Sequence, residues 1–166
     1  HSFPTRRSSD LGDAEQLSFP SGQDLIVSCS ALQWFVSPEL FFKRCNALLS
    51  GHGYFAFSTF GKENLKEIAA VTGSGLHYYS LEELKKSLSM HYNIVTAGEE
   101  RIRLTFATPL DVLYHLKHTG VTAVCRQAWT KGDLQEFCDK YAKLFSCGNA
   151  VTLTYHPLYI IARKKP

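Results

Sequence analysis

The sequence has no long hydrophobic run and only a small excess of charge of one sign. Its apolar stretches, such as Leu158 to Ala162, are far shorter than the roughly 18 residues that a helix needs to cross a bilayer. The formal net charge of +3 is a lighter basic footprint than nucleic-acid-binding proteins usually carry. No charged and then apolar leader opens the printed sequence. We therefore expect a cytoplasmic protein whose partners are neither membranes nor nucleic acids.

Motifs that would indicate a metal, redox or acyl-enzyme site are also missing. The five cysteines are odd in number and form no C-x-x-C pair, so we interpret Cys29, Cys45 and Cys138 as buried thiols. His115 and His118 stand three positions apart on a predicted helix, but no carboxylate or third histidine accompanies them nearby. No Gly-x-Ser-x-Gly sequence exists to place a nucleophilic serine. We predict no metal ion and no covalent catalytic residue.

The residues that are present suffice for one folded domain. The chain has 166 residues, and its 45% apolar content can fill a core and excludes intrinsic disorder. Residues 1–11 differ from the rest, because they have no apolar period, two adjacent arginines and two adjacent serines. We predict that residues 1–11 are a leader foreign to the domain and that residues 12–166 are the C-terminal part of a single domain.

A strand, a helix and a second strand follow one another with short connections. The strands are the apolar runs from Asp24 to Cys29 and from Tyr54 to Thr59. Between them, Ser37 and Pro38 mark the start of a helix. This βαβ unit predicts an α/β fold, with a parallel sheet whose strands are covered by helices on both faces.

The second half of the chain predicts three more helices and two antiparallel strands. The helices are expected after the capping box from Ser80 to Glu83, from Pro109 to Gly120, and from Thr130 to Phe145. Arg101 to Phe106 alternates apolar and polar residues, and Val151 to Arg163 is strand-like except for Pro157, which we expect at a bulge or an unpaired edge position. We expect these last two segments to pair and to extend the same sheet.

Asp13 lies in a turn at the place where an α/β sheet binds nucleotides, outside the carboxyl ends of its strands. A carboxylate there can accept a hydrogen bond from an exocyclic amine. The alternative is an acid that only caps its own turn. The segment from Ser28 to Trp34 leaves the next strand at the same edge of the sheet, where it could line a ligand or simply pack.

Several segments of the sequence resemble known proteins. Gly12 to Leu17, Asp24 to Trp34 and Phe55 to Phe60 resemble the class I methyltransferases that use S-adenosylmethionine. Leu32-Gln33-Trp34, the Leu116-Lys117-x-x-Gly120 stretch, and Leu153-Thr154-Tyr155-His156 with Ile161-Ala162-Arg163 are similar to one branch of that superfamily. That branch is the malonyl-[acyl-carrier protein] O-methyltransferases of biotin synthesis.

The resemblance implies a Rossmann-like three-layer sandwich that is incomplete in this chain. The family's N-terminal strands, its glycine-rich first loop and the acidic residue that holds the ribose have no counterpart here. Of the cofactor-binding residues, the resemblance places Asp13 at the adenine amine, Ala14 at the adenine ring and Ser30 beside the methionine part of S-adenosylmethionine. We expect no measurable cofactor binding and a tendency to aggregate when this chain is expressed alone.

The implied reaction transfers a methyl group to the free carboxylate of a malonyl group carried on acyl-carrier protein. That carboxylate is already ionised near neutral pH, so no general base is needed. The enzyme has to position the carboxylate oxygen and exclude water. Lys117, Tyr155 and His156 are the candidates for orienting the malonyl end. Where relatives often have an arginine just before the Leu-Lys stretch, this chain has Tyr114 and His115.

Two other functions stay open on the sequence. One is a different small-molecule class I methyltransferase that acts on a free acid or a quinone precursor. The other is an α/β binding domain with no catalytic role.

Overall fold

The computed structural model describes residues 11–121 and 129–166. The elements follow in the order β1 (Gln23–Cys29), a short 3-10 helix (Leu32–Trp34), α1 (Pro38–Leu48), β2 (Leu49–Phe60), α2 (Lys66–Thr72), α3 (Leu81–Leu88), β3 (Tyr92–Glu99), β4 (Ile102–Phe106), α4 (Pro109–His118), α5 (Lys131–Phe145), β5 (Ser146–Cys147), β6 (Ala150–Tyr155) and β7 (Pro157–Lys164).

The first sheet contains four strands in the order β1-β2-β7-β3. β1 and β2 are parallel, with Val27 opposite Ala56, and α1 connects them, which confirms the predicted βαβ unit. β7 is antiparallel to both of its neighbours, β2 and β3. The parallel strands therefore end at one common edge, just before Ser30 and just before Gly61.

The second sheet contains three strands in the order β4-β6-β5. The predicted antiparallel pairing is confirmed for β4 and β6, where Leu104 lies opposite Leu153. The prediction that this pair extends the first sheet is wrong, because the strand-like segment breaks at His156 and only β7 returns to the first sheet. At the break, the backbone N–H of His156 donates to Asn64 Oδ1 and its carbonyl accepts from the N–H of Gly61. These two bonds replace the strand ladder for one residue.

Local capping explains where the predicted helices begin. At α3, Ser80 and Glu83 form the predicted capping box, each accepting from the other's backbone N–H. α4 and α5 have the same arrangement, with Thr108 and Asp111 in the first and Thr130 in the second. These helix starts agree with the sequence because every partner lies within three residues.

One face of the first sheet is packed by α1 and α3 into an aromatic core. Phe42 packs against the rings of Phe55 and Phe57, with centroids 5.9 and 5.6 Å away. Buried Tyr92, on β3, stacks against Phe55, and its hydroxyl donates to the carbonyl of Phe42 over 2.9 Å.

The opposite face of the first sheet is open in the described part of the chain. Leu25 and Val27 on β1 are 57% and 58% exposed, and Tyr54, Tyr159 and Ile161 are exposed beside them. The prediction that β1 is buried on both faces is therefore wrong, since no described residue (11–121 and 129–166) covers its second face. The α/β class is confirmed, but helices cover only one face of this sheet there.

A second core joins the second sheet to α2, α4 and α5. Its buried members include Leu116, Phe137, Tyr141 and Leu153. The hydroxyl of Tyr141 donates to the carbonyl of Thr152 over 2.7 Å, which attaches α5 to β6. The two sheets thus have separate hydrophobic cores.

The interpretation of the cysteines as buried thiols is correct only in part. Cys45 is buried on α1, and burial raises the pKa of its thiol to about 12. Cys138 is partly buried, whereas Cys29 and Cys147 are exposed. Cys29 is exposed because the strand that carries it lies at the sheet edge, with one face open. Cys125 lies outside the described residues.

Candidate functional site

A cavity of about 410 Å³ opens beyond the carboxyl end of β2. We call it the strand-end cavity. Its walls come from the 3-10 helix, the turn after β2, α2, the 74–78 segment and the end of β6, and Val121 also contributes. Its apolar lining includes Phe60, Leu65 and Ile68. Ligands of open α/β sheets bind in this position, outside the carboxyl ends of parallel strands.

The turn over residues 61–65 is fixed by hydrogen bonds to the end of β6 and to the residue after it. Gly61 N–H donates to the carbonyl of His156 over 2.7 Å, and Leu65 N–H donates to the carbonyl of Thr154 over 2.8 Å. A Cβ at Gly61 would lie 2.6 Å from His156 Cε1, so only glycine fits there. Leu65 has a left-handed backbone (φ 53°), which turns the chain into α2.

Two phenols and one amide form a polar wall of the cavity. Asn64 is buried, and its Nδ2 donates to the Tyr78 hydroxyl over 3.1 Å. The Tyr155 hydroxyl lies 3.0 Å from His115 Nε2. Burial raises the pKa of Tyr155, and burial also raises that of Tyr78 in spite of the bond from Asn64. Both phenols therefore keep their protons near neutral pH and can donate hydrogen bonds.

Two lysines, Lys62 and Lys66, also line the cavity, and the ammonium group of each is bound to a glutamate outside the lining. Lys62 Nζ lies 2.7 Å from a carboxylate oxygen of Glu83, and Lys66 Nζ lies 2.9 Å from one of Glu63. The hydrogen bonds from Arg101 and then Lys66 lower the pKa of Glu63 to about 2. The hydrogen bond from Lys62, and then the hydrogen bonds from Ser80 at the start of α3, lower the pKa of Glu83 to about 2. Both glutamates are therefore ionised near neutral pH.

The described lining of this cavity contains hydrogen-bond donors and cations but no Asp, Glu, His or Cys side chain. A group that must lose a proton before it reacts would find no base among these residues. An anion could be held by the phenols of Tyr78 and Tyr155 and by the two lysines once their ammonium groups leave the glutamates. The site is therefore suited to a substrate that arrives already ionised.

The three predicted substrate-binding residues lie in different surroundings. Tyr155 lines the strand-end cavity. Lys117 is exposed in the last turn of α4 and is absent from the described lining. His156 is 3% exposed, and its Nδ1 accepts from the N–H of Glu63 over 3.1 Å while Nε2 lies 3.2 Å from Glu99 Oε2. Its ring thus holds the turn after β2 rather than facing the cavity.

The three predicted cofactor-binding residues lie near the end of β1 and on the segment before it. Asp13 is exposed, and its Oδ1 accepts from the N–H of Glu15 over 2.9 Å, as a turn-capping acid does. Ala14 lines a second cavity of about 280 Å³ between the 14–20 segment, β1 and α1. Ser30 has a left-handed backbone (φ 50°), and its N–H donates to the carbonyl of Ser58 over 3.0 Å.

Sequence reasoning missed Glu15, which fixes the Asp13 turn to α1. Its two carboxylate oxygens accept from the N–H groups of Val36 and Ser37, each over 2.9 Å. Arg44 on α1 reaches back to the carbonyl of Glu15. A carboxylate at a helix N-terminus is favourable. The sequence carries no local signal for this contact, because Glu15 and Ser37 are more than twenty residues apart.

Sequence reasoning also missed Lys62, Lys66, Asn64 and Tyr78. They lie between residues 61 and 79, where the sequence has no clear period. One signal was available, because the turn follows directly after a predicted parallel strand, at the ligand-binding edge of the sheet.

No helix within 11–121 and 129–166 combines the length and the apolar character needed to cross a bilayer. The same residues bring together no group of three or more His, Cys, Asp or Glu side chains that could hold a metal ion.

Comparisons with known proteins confirm the resemblance. A family model described as a methyltransferase domain matches residues 5–57. A malonyl-[acyl-carrier protein] O-methyltransferase of Bacteroides thetaiotaomicron is 57% identical over 164 residues, which cover 93% of this chain and 63% of the relative. One of Porphyromonas gingivalis is 46% identical and matches 92% of this chain and 61% of its own length. The chain thus spans about three fifths of these relatives.

Solved structures show the fold. A candidate methyltransferase of Bacillus halodurans superposes with a TM-score of 0.63 at 16% identity, covering 93% of this chain and 70% of that structure. The YcgJ protein of Bacillus subtilis superposes with a TM-score of 0.56 at 14% identity, with the same coverage. Together with the family model, these likenesses show that the chain has the class I methyltransferase fold.

Proposed function

We propose that this chain, whose relatives are malonyl-[acyl-carrier protein] O-methyltransferases, is part of an enzyme that methylates the free carboxylate of a malonyl thioester on acyl-carrier protein. S-adenosylmethionine would be the methyl donor, and the product would serve an early step of biotin synthesis. The support is identity of 57% and 46% to two such relatives over nearly the whole chain. Because the chain spans about three fifths of them, the activity belongs to the longer polypeptide.

The observation that carries the proposal is the lining of the strand-end cavity. Lys62, Lys66, Tyr78 and Tyr155 supply donors there, and the described lining supplies no general base. A malonyl carboxylate needs none, because carboxyl groups are ionised near neutral pH. One of its oxygens can attack a sulfonium methyl group directly. The new O–CH₃ bond takes its electron pair from the oxygen, and the pair of the broken S–CH₃ bond stays on sulfur.

The protein contributes to such a reaction by positioning the reacting groups and by excluding water. The apolar walls of the strand-end cavity, among them Phe60 and Ile68, exclude water from the acyl arm. Tyr155, held at 3.0 Å by His115, can donate to a carboxylate oxygen and orient it. Holding the reacting groups in line is the main source of rate in a reaction that needs no proton transfer.

S-adenosylmethionine supplies an electrophilic methyl group when it is bound. Asp13 and Ala14, before β1, would hold its adenine, and Ser30, after β1, would lie beside its methionine part. Asp13 is exposed, and its Oδ2 has no hydrogen-bond partner within the described chain, so it can accept from the adenine amine. Ala14 lines the apolar second cavity, and Ser30 makes the sharp turn after β1. We propose these three residues as cofactor contacts.

We propose further that residues 12–166 are the C-terminal part of the enzyme domain and residues 1–11 a foreign leader. The glycine-rich loop and the ribose-binding acid would come from the remaining two fifths of the enzyme. Those residues would also cover the open face of the first sheet, where Leu25 and Val27 are exposed. The chain alone should then bind no S-adenosylmethionine that calorimetry can measure, and tight binding with a stoichiometry of one would contradict this.

The test of the reaction is a chimera. In the Bacteroides thetaiotaomicron relative, the part that matches this chain is replaced by residues 12–166. The chimera is incubated with S-adenosylmethionine and malonyl-acyl-carrier protein, and mass spectrometry follows the carrier. We expect a methyl ester on the malonyl carrier and none on acetyl-acyl-carrier protein, which has no free carboxylate.

Two outcomes would overturn the proposal. Methylation of a free acid or a quinone precursor without methylation of the malonyl carrier would indicate a different small-molecule methyltransferase. A folded chimera that binds S-adenosylmethionine but methylates none of these compounds would indicate a binding domain without catalysis.

A further inference from the structure

We propose that Lys62 and Lys66 form an exchangeable cation pair that binds the free carboxylate of the acyl substrate in the strand-end cavity. The inference rests on the proposed function and deepens it, because it names the residues that distinguish a malonyl group from an uncharged acyl group. Neither lysine was a candidate on the sequence, where Lys117 was the cation considered.

Both lysines are placed where a ligand in the strand-end cavity could reach them. Lys62 lies in the turn after β2, Lys66 begins α2, and both line the cavity. Their side chains are 52% and 43% exposed, so a ligand that enters from solvent can reach them. Lys117 lies outside the described lining.

Each lysine can leave its glutamate, because the glutamate carboxylate then still has another hydrogen-bond donor. Lys66 binds one oxygen of Glu63, and Arg101 binds the other. Lys62 binds Oε1 of Glu83, while Oε2 accepts from the N–H of Ser80 over 2.7 Å. When a lysine turns to a substrate carboxylate, its glutamate keeps a partner. The exchange replaces one partly exposed ion pair with another, and such pairs contribute little to folding stability.

The cation pair would select a carboxylate over an uncharged acyl group. A carboxylate can form charge-assisted hydrogen bonds with two ammonium groups. A methyl ester carries no charge and cannot replace it. The cation pair would therefore hold the malonyl acid and release the ester after methyl transfer, when the lysines return to Glu63 and Glu83. An uncharged acetyl group would never engage the pair.

The experiment measures binding to the chain itself and needs no methyl transfer. The probes are malonyl-N-acetylcysteamine and its methyl ester. Trp34 lines the cavity, so its indole N–H resonance in a nitrogen-15 NMR spectrum reports occupancy. The other tryptophan in the sequence is Trp129, and a Trp129→Phe variant assigns the two signals. We expect the acid to shift the Trp34 signal at concentrations where the ester does not.

The variants are Lys62→Met and Lys66→Met, singly and together. Charge-assisted hydrogen bonds are about twice as strong as neutral ones, so the double variant should bind the acid roughly tenfold or more weakly. A double change to arginine should restore most of the affinity. Lys85→Met is the matched control, because Lys85 pairs with Glu82 at the same 2.9 Å and i,i+3 spacing as Lys66 with Glu63, away from the cavity.

Several results would overturn the inference. They are equal binding of acid and ester, no binding of the acid at all, an unweakened double variant, or a loss confined to Lys117→Met. Thermal unfolding by circular dichroism checks that each methionine variant is folded, and the arginine variants carry the test if one is not. In the chimera, full methyl transfer by the double methionine variant would sink the inference and leave the reaction standing. Binding of the acid that depends on the two lysines, without any methyl transfer, would support the inference and overturn the proposed reaction.

Discussion

The two sheets of this molecule each pack on an apolar core, but they differ in the bonds that attach them to neighbouring segments. The first sheet relies on apolar contacts, with Phe55 fully buried among aromatic rings on one face. The second sheet is joined to the turn and to α2 by buried polar bonds, with Glu67 at their centre. Its carboxylate is 2% exposed and accepts from the N–H and the hydroxyl of Thr154 over 3.0 and 2.5 Å.

The difference separates the contacts that stabilise the fold from the bonds that fix the position of the cavity residues. Apolar contacts have no direction, and rings can shift slightly without losing much contact area. Buried hydrogen bonds have direction, and they fix the turn after β2 in one position relative to β6. The cavity residues are carried by that turn and by the end of β6. The polar junction therefore sets the geometry of the proposed site, while the two apolar cores supply the burial that favours folding without fixing a direction.

The sharpest way to break this comparison is to remove a ring from the aromatic core. Phe55→Ala should lower the free energy of unfolding by about 3–5 kcal/mol, because the lost burial and the remaining cavity both count. Urea unfolding followed by circular dichroism measures it. Val95→Ala, at a residue 58% exposed on β3, is the control and should change stability by less than about 0.5 kcal/mol. Similar losses in the two variants would contradict the aromatic-core account.

The polar junction should show the next largest effect. Glu67→Ala leaves two buried donors of Thr154 without their acceptor, and the expected loss is about 1.5–3 kcal/mol. Glu67→Gln keeps one acceptor oxygen and should lose less. Glu82→Ala, which changes an exposed glutamate on α3, serves as the control. If Glu67→Ala unfolds at the same urea concentration as Glu82→Ala, the junction contributes nothing.

The exposed ion pairs should produce a smaller, pH-dependent effect. The pKa of Glu63 is lowered from 4.5 to about 2, so its contribution to stability is present above pH 4.5 and is lost as the pH falls toward 2. Arg101 is the main cause, and Arg101→Met should raise the pKa of Glu63 toward its ordinary value. NMR titration of the Glu63 carboxyl measures this shift, and Arg103→Met on β4 is the control. A Glu63 pKa that stays near 2 in Arg101→Met would remove Arg101 as the cause.

The smallest change in folding stability should come from the open face of the first sheet. Val27→Lys should alter the free energy of unfolding by less than about 0.5 kcal/mol. It should reduce self-association, because an exposed apolar face beside a sheet edge is an aggregation site. Sedimentation velocity at increasing concentration measures this. Leu144→Lys replaces a similarly exposed residue on α5 and should have no such effect. Equal self-association of the two variants would contradict a role for this face.

The sequence predicted those parts of the fold whose signals are local. The start of α3 depends on the Ser80–Glu83 box, and α1 has Pro38 in its first turn as predicted, but the Ser37 side chain makes no capping bond. Strand β3 was missed, because its residues are mixed in polarity and its partner β7 lies about sixty residues away. The interruption expected at Pro157 lies next to the break at His156, but the change of sheet there was missed, because residue alternation does not say which sheet a strand joins.

The site was predicted only where the chemistry of the resemblance pointed. Tyr155 was a candidate and lies in the cavity. Lys62 and Lys66 are ordinary surface lysines in the sequence, and only the folded turn brings them to the strand end. His156 was a candidate because it belongs to the segment that carries the resemblance and could orient the malonyl end, but its two ring nitrogens are bound to Glu63 and Glu99.

The close approach of Gly61 to His156 has a consequence for how related sequences can diverge. A methyl group at position 61 would overlap the imidazole ring at 2.6 Å. A smaller residue at position 156 would instead leave the Glu63 N–H without its acceptor. Either change alone passes through a damaged intermediate, so the two positions should be inherited as a pair and replaced only together. A relative with a side chain at position 61 should therefore also have lost its histidine at position 156.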